Sequence, residues 1–171
     1  PETGLVLGIE SSCDETAAAV VGEGRRVLSN VVHSQATEHA KFGGVVPEVA
    51  GRIHLDSIQP AVEEALAEAG ATLDYLSAIA VTAKPGLIGS LLVGLSTAKA
   101  LAWTTNLPLV AVDHIEAHVY AATMESQEDV QFPCMALVVS GGHTALYEVQ
   151  GPLEMKRVAT TLDDAAGEAF D

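Results

Sequence analysis

Three short apolar runs at the start of the chain most constrain what it can fold into. They span Leu5–Ile9, Ala17–Val21 and Val27–Val32, each of strand length and too close together for an intervening helix. A polar loop, Glu10–Thr16, separates the first two runs, and Gly22-Glu23-Gly24 turns the chain into the third. The sequence therefore predicts a meander of three strands before any long helix.

After the meander, helical and strand patterns alternate, which is typical of an α/β fold with parallel strands. The segment His33–Val46 is polar and contains glycine, and we expect an ordered loop there. Pro60 is expected to kink the helix that follows or to start a second one. The predicted elements are a helix from Pro47 to Gly70, a strand Ile79–Thr82, a helix Ile88–Thr104, a strand Leu109–Val112 and a helix Asp113–Met124.

A second unit is predicted after the acidic segment 125–129. Strands are expected at Met135–Val139, Ala145–Val149 and Lys156–Thr160, which repeats the opening of the chain. The sequence stops at Asp171, where a first helix of this unit would begin. We therefore predict one lobe over residues 1–130 and the opening of a second lobe over 131–171, as in the N-terminal half of a longer protein.

Charge and cysteine content limit the classes of partner and compartment. The chain of 171 residues has 8 Lys and Arg against 23 Asp and Glu, a net charge of −15, which opposes binding to a phosphate backbone. Any nucleic acid would need basic surface from elsewhere. Cys13 and Cys134 form no CxxC pair, and no signal peptide or membrane span is visible. We expect a soluble, cytoplasmic protein, with Trp103 in its core.

The segment Asp113–His118 directly follows a predicted buried strand and carries two histidines. If a helix begins near Asp113, His114 and His118 lie on one face, one turn apart, where two imidazoles can bind one metal ion. Strand ends are also where α/β sheets bind ligands. The alternative is two surface histidines, or one that is satisfied in the core, and the strand-end position and the intervening Glu116 favour the metal.

A metal site at this pair needs at least one more ligand. The candidates within the chain are Asp163, Asp164, Glu168 and Asp171, and a continuation of the chain is another source. The pattern differs from that of zinc metalloproteases, which require Glu directly after the first His, whereas Glu116 is two residues on.

Two polar turns follow apolar strands and resemble each other: Glu10–Thr16 and Ser140–Thr144. Small and hydroxyl residues there allow backbone N–H groups to face an anion, and Gly141 and Gly142 permit close approach. Either turn alone is more consistent with an ordinary hairpin. Their repetition at the head of two similar units favours a phosphate or nucleotide site.

Asp14 and Glu15 lie in the first of these turns, where either could orient a metal or act as a general base. Solvated hairpin carboxylates are the equally weighted alternative. His33, His39 and His54 show no comparable spacing and are expected to be structural or loop residues.

Ordered motifs along the whole chain resemble the tRNA adenosine threonylcarbamoyltransferase family, formerly described as glycoprotease or O-sialoglycoprotein endopeptidase. The opening loop Gly8–Thr16 and the histidine pair are very similar to those of the family. The other matching segments are Gly43–Glu48 with Arg52 and His54, Pro85–Leu91, Ser140–Thr144 and Asp163–Asp171.

The resemblance implies an actin-like ATPase (ASKHA, ribonuclease H-like) fold with two duplicated lobes, the first complete here and the second truncated. It implies transfer of the threonylcarbamoyl group from threonylcarbamoyl-adenylate to the exocyclic amine of the adenosine next to the anticodon in tRNAs that read codons beginning with A. It also implies a paralogous non-catalytic partner and a small ATPase in bacteria.

Site residues follow from the same resemblance. One iron or zinc ion is expected at His114 and His118, with an aspartate near the family's C-terminus as third ligand. The nucleotide substrate is expected at Val138, Val139, Ser140, Gly141 and Gly142 and at Asp171. Glu15 or Asp14 is the candidate that accepts the amine proton.

Two departures from the family are visible. Lys84 stands where many members have Gly, and the chain ends before the third metal ligand, so we expect this polypeptide alone to be inactive. An ATPase or kinase of the same fold and a non-catalytic scaffold remain the alternatives, with a metalloprotease disfavoured by the position of Glu116.

Overall fold

The computed structural model describes residues 4–22, 25–125, 130–140 and 143–167. Two compact units are present, Pro1–His114 and Ile115–Asp171. The predicted boundary between the two lobes, at residue 130, stays a prediction. Among the described residues, no helix combines the length and the apolar character needed to cross a membrane.

The first unit is a mixed sheet with helices packed on it. Strand order is β3-β2-β1-β4-β5, with β1–β2 and β2–β3 antiparallel and β1–β4 and β4–β5 parallel. The predicted meander is therefore confirmed, followed by the predicted α/β alternation. The strands are β1 Leu5–Glu10, β2 Glu15–Gly22, β3 Arg26–Ser34, β4 Leu76–Lys84 and β5 Leu109–Asp113, and the helices are α1 Ala36–Ala40, α2 Pro47–Glu68 and α3 Ile88–Thr105.

One face of this sheet forms the core, because alternate residues of the strands point to the same side. Leu7, Val20 and Ile79 are fully buried there. Helix α2 contributes a stripe with helical spacing, Ala50, His54, Ile58, Ala61, Val62 and Ala65. A histidine within this apolar stripe must find hydrogen-bond partners, since an unpaired buried imidazole would be destabilising.

Three local predictions are corrected. The segment His33–Val46 contains the last residues of β3 and the short helix α1, so it is not only a loop. Of the two outcomes predicted for Pro60, the second helix is wrong, because α2 continues through Pro60 to Glu68, and the kink stays a prediction. Pro60 and Asp56 are both exposed, so water can reach the Asp56 carbonyl that Pro60 leaves without a helical partner. Trp103 is 88% exposed on α3 and does not belong to the core.

The second unit contains helix α4 and a three-stranded antiparallel sheet. Its elements are α4 His114–Glu125, which begins on the last residue of the first unit, and strands β6 Cys134–Val139, β7 Thr144–Gly151 and β8 Glu154–Thr160, paired in that order. Ile115 and Val119 of α4 pack with Val138 and Val149 of the sheet. This apolar cluster explains why nearly all of α4 belongs to this unit.

Candidate functional site

The carboxyl ends of β1 and β5 bring Glu10 and His114 together. Both strands run parallel to β4, so their ends meet at the same edge of the sheet. His114 Nδ1 lies 3.1 Å from Glu10 Oε2 and also 3.1 Å from Ser12 Oγ. Because a carboxylate only accepts, Nδ1 carries the hydrogen and donates it to Glu10.

Glu10 is the acceptor at the centre of this cluster. Besides His114, it accepts a hydrogen bond from Thr82 Oγ1 at 2.6 Å and one from the Ser12 backbone N–H. Burial acts to raise the pKa of Glu10, but these hydrogen bonds outweigh it and hold the pKa at about 2. The carboxylate therefore stays ionised. Its hydrogen bond in turn raises the pKa of His114 against the lowering effect of burial.

Ser11 fixes the loop after β1 to helix α3. Its Oγ donates to the Ser90 carbonyl at 2.8 Å and accepts from the Gly94 N–H at 3.1 Å, so the hydroxyl bridges a carbonyl and an N–H four residues apart in the helix. The Leu87 N–H also donates to the Ser12 carbonyl at 2.8 Å. A Cβ at Gly86 would lie 2.6 Å from that carbonyl oxygen, which explains the glycine there.

Asp14 and Glu15 follow directly, at the point where β2 begins. Asp14 is half-buried and Glu15 is exposed. Pairing of β1 with β2 ends at Glu10 and Ala17, whereas β2 pairs with β3 as far as Glu15 and Ser34. Asp14 is therefore the last residue of the connection from β1, and Glu15 is the first residue of β2.

Cys13, in the same loop, is not suited to nucleophilic chemistry. Burial, and then the negative charge of Asp14, raises the pKa of its thiol to about 11. Since the thiolate is the nucleophile, the thiol is inert near neutral pH.

The second predicted metal ligand, His118, lies on α4 one turn after His114. Of the predicted third ligands, Asp163 and Asp164 lie in an exposed bend after β8, while Glu168 and Asp171 are outside the described residues. Within the described ranges, no three His, Cys, Asp or Glu side chains form a cluster that could hold a metal. The chain thus offers two imidazoles and no described third ligand.

The predicted nucleotide turn follows β6. The Ser140 N–H donates to the His143 carbonyl at 2.8 Å, and the His143 N–H donates to Ser140 Oγ at 3.0 Å. The Gly167 N–H reaches the Ser140 carbonyl at 3.3 Å, which ties the end of the described chain to this turn. Val138 is buried and Val139 exposed, while Gly141 and Gly142 lie outside the described residues.

Comparison with known proteins identifies the family. Residues 26–171 match the family described as tRNA N6-adenosine threonylcarbamoyltransferase. The chain belongs to this family. The curated enzyme of that name from Geotalea daltonii is 59% identical over 167 residues, covering 98% of this chain and 48% of the relative. The one from Symbiobacterium thermophilum is 58% identical over 168 residues, covering 98% and 49%. The chain thus spans about half the length of these relatives.

Solved structures support the fold. YeaZ from Pseudomonas aeruginosa aligns with a TM-score of 0.60 at 22% identity, covering 92% of this chain and 65% of that one. The ROK hexokinase from Thermus thermophilus aligns with a TM-score of 0.55 at 21% identity, covering 96% and 50%. The predicted actin-like ATPase fold is therefore confirmed.

The sequence patterns gave no individual role to Glu10 or Ser12, which lie in the predicted phosphate turn, or to His54, which lies in a segment that matches the family. Glu10 ends a strand, and the residues around it do not predict that its partner is His114, 104 positions later. His54 was assigned a structural role, and it is fully buried. Its position in the apolar stripe of α2 was the available signal.

Proposed function

We propose that the full-length protein transfers a threonylcarbamoyl group from threonylcarbamoyl-adenylate to the exocyclic amine of the anticodon-adjacent adenosine in tRNA. The observation that carries this proposal is the match of residues 26–171 to a family with that name. The geometry around His114 supports it, because a strand-end imidazole oriented by a carboxylate suits electrophilic activation of an acyl donor.

In this proposal, His114 and His118 hold one iron or zinc ion. Their spacing of one helical turn on α4 fits two ligands of one ion, and the hydrogen bond to Glu10 orients the His114 ring. The third ligand would come from the C-terminal part of the longer protein. When bound, the metal would supply Lewis-acid polarisation of the donor's phosphate or carbonyl.

The adenylate would bind at the turn after β6. The proposed contacts are Val138, Val139, Ser140, Gly141 and Gly142, and the hydrogen bonds between Ser140 and His143 hold the two sides of this turn together. Asp171 is the further proposed contact with the nucleotide.

The Asp14–Glu15 pair, the two carboxylates at the start of β2, would manage the proton. The adenosine amine forms a bond to the carbamoyl carbon, and the bond from that carbon to the phosphate oxygen breaks, so that adenylate leaves. The amine proton passes to Glu15 or Asp14. The inert Cys13 thiol agrees with direct transfer without a protein nucleophile.

Partners complete the proposal. At −15, this chain would repel the tRNA backbone, so basic surface elsewhere in the protein or on a partner would capture the tRNA. The likeness to YeaZ supports a paralogous, non-catalytic partner of the same fold, and a small ATPase would be the other bacterial partner. The reaction would take place in the cytoplasm.

A transfer assay tests this function. A full-length protein containing this sequence is mixed with its partners, tRNA and donor labelled in the threonylcarbamoyl group. We expect the label in the tRNA nucleoside and release of adenylate that depends on tRNA. Hydrolysis of ATP without labelled tRNA would instead identify an ATPase of the same fold.

A further inference from the structure

His54 touches the chain on both sides of the Asp14–Glu15 pair. Its Nε2 lies 3.0 Å from the Cys13 carbonyl, and its Nδ1 lies 2.7 Å from Thr16 Oγ1. Cys13 precedes the pair and Thr16 follows it. The imidazole therefore bridges the residue that precedes the pair and the residue that follows it.

The donors and acceptors allow one consistent assignment. A carbonyl accepts only, so His54 Nε2 carries the hydrogen, and Nδ1 accepts from the Thr16 hydroxyl and from Gln35 Nε2 at 3.3 Å. Burial lowers the pKa of His54, which favours this neutral form. The ring acts as a fixed bridge.

A second imidazole extends the bridge. His39 Nε2 donates to Gln35 Oε1 at 3.0 Å, and His39 Nδ1 accepts from the Val46 N–H at 3.3 Å. The Gln35 N–H itself donates to the Asp14 carbonyl at 2.9 Å. Four side chains in this network are buried, with none more than 3% exposed: Thr16, Gln35, His39 and His54.

The network lies where the pairing of β1 with β2 has ended. The last paired residues are Glu10 and Ala17. Helix α2 packs on β2 and β3 and brings His54 within hydrogen-bond distance of Cys13 and Thr16. Since a buried hydrogen-bond network that is fully satisfied restricts geometry, the hairpin end is held in one arrangement.

We propose that His54 is a positioning residue for the transfer reaction: it holds the Asp14–Glu15 pair through the Cys13 carbonyl and the Thr16 hydroxyl. This inference rests on the proposed catalytic use of that pair. Gln35 and His39 fix the orientation of His54, and the ring does not contact substrate.

The first test measures the loop itself and needs no activity. Amide hydrogen exchange of residues 10–16 is compared in full-length protein with native His54, His54→Leu and His54→Gln. Leucine fills the space without hydrogen bonds, so we expect exchange at least about tenfold faster. Glutamine can donate to the Cys13 carbonyl, so protection should return. Unchanged exchange in His54→Leu would overturn the proposal, whether or not the protein transfers threonylcarbamoyl.

The second test measures the reaction. Because misplacement of a catalytic group by about 1 Å can cost about 100-fold, we expect kcat per folded protein to fall 10- to 100-fold in His54→Leu. The KM for the adenylate donor should stay within about twofold, and His54→Gln should recover to within about fivefold. His33→Leu, which removes a half-exposed imidazole bonded to Glu64, is the matched control and should be silent. No recovery in His54→Gln would contradict the proposal.

A double-mutant cycle separates positioning from general structural damage. In an Asp14→Asn/Glu15→Gln protein, adding His54→Leu should lower kcat by less than about twofold, because the effect of His54 passes through the pair. An equal loss in both backgrounds would overturn the positioning role. If Asp14→Asn/Glu15→Gln keeps full transfer, the catalytic use of the pair and the positioning role fail together. If native protein transfers nothing, the proposed function fails, and hydrogen exchange alone decides whether His54 holds the loop.

Discussion

The Gly94→Ala substitution tests how closely the loop after β1 is packed on α3. A Cβ at residue 94 would lie 2.4 Å from Ser11 Oγ and 3.6 Å from a Val81 methyl group. Ser11 is fully buried, and its hydroxyl is fixed by hydrogen bonds to Ser90 and Gly94. The hydroxyl cannot move away without losing them.

The expected loss of stability has two parts. Overpacking of a close-packed interior costs about 1–3 kcal/mol. Displacing the hydroxyl leaves buried polar groups unsatisfied, which costs about another 1–3 kcal/mol. We therefore expect Gly94→Ala to lower the free energy of unfolding by about 2–6 kcal/mol. The same displacement would shift Ser12 and Glu10, so transfer activity should fall as well.

Urea unfolding followed by circular dichroism of the full-length protein measures the effect. Gly89→Ala, in the same helix with nothing within 4 Å of the added Cβ, is the matched control. It should be neutral or stabilising by up to about 1 kcal/mol. Ser11→Ala should partly rescue Gly94→Ala, because it removes the clashing oxygen. Equal stabilities of Gly94→Ala and Gly89→Ala would refute the packing described.

Three further predictions concern single side chains. Glu10→Gln removes the charged partner of His114, so it should weaken metal binding by about 10- to 100-fold in a metal titration. The exposed Glu48→Gln is the control, and equal metal affinities of the two variants would contradict this. Because burial lowers the pKa of His54, the unfolded chain binds that proton more readily. The stabilisation from neutral His54 should be complete above pH 6.5 and decline below it, and urea titrations should show a weaker decline in His54→Gln. Identical pH slopes would be inconsistent with this. Because the pKa of the Cys13 thiol is about 11, its alkylation near pH 8 should be about 100-fold slower than that of an unperturbed thiol, as measured by mass spectrometry. Alkylation at the ordinary rate would contradict this prediction.

Local patterns predicted most of the fold and the position of His114. Apolar runs of strand length and helical spacing gave the meander, the alternation and the strand-end placement of the histidine, because these features depend on neighbouring residues. Trp103 was misplaced because an apolar stretch does not show which side of a helix packs on the sheet. The second helix predicted at Pro60 was wrong because the exposed position of this residue makes a lost helical hydrogen bond tolerable.

Contacts between distant positions could not be predicted in this way. The bond from Glu10 to His114 depends on two strands that both pair with β4. The bridge from His54 to Cys13 and Thr16 depends on how α2 lies on β2. In each case the contact depends on how whole strands and helices pack. The sequence near either residue does not predict that packing.

Metal content of the full-length protein tests most directly whether His114 and His118 bind one ion together. Elemental analysis is made on native protein, on His114→Ala/His118→Ala, and on His33→Ala as a control for the loss of a histidine. We predict about one iron or zinc per native and control molecule and a large loss in the double variant, since two of the ligands are removed. Unchanged metal content in His114→Ala/His118→Ala would contradict the assignment of both ligands.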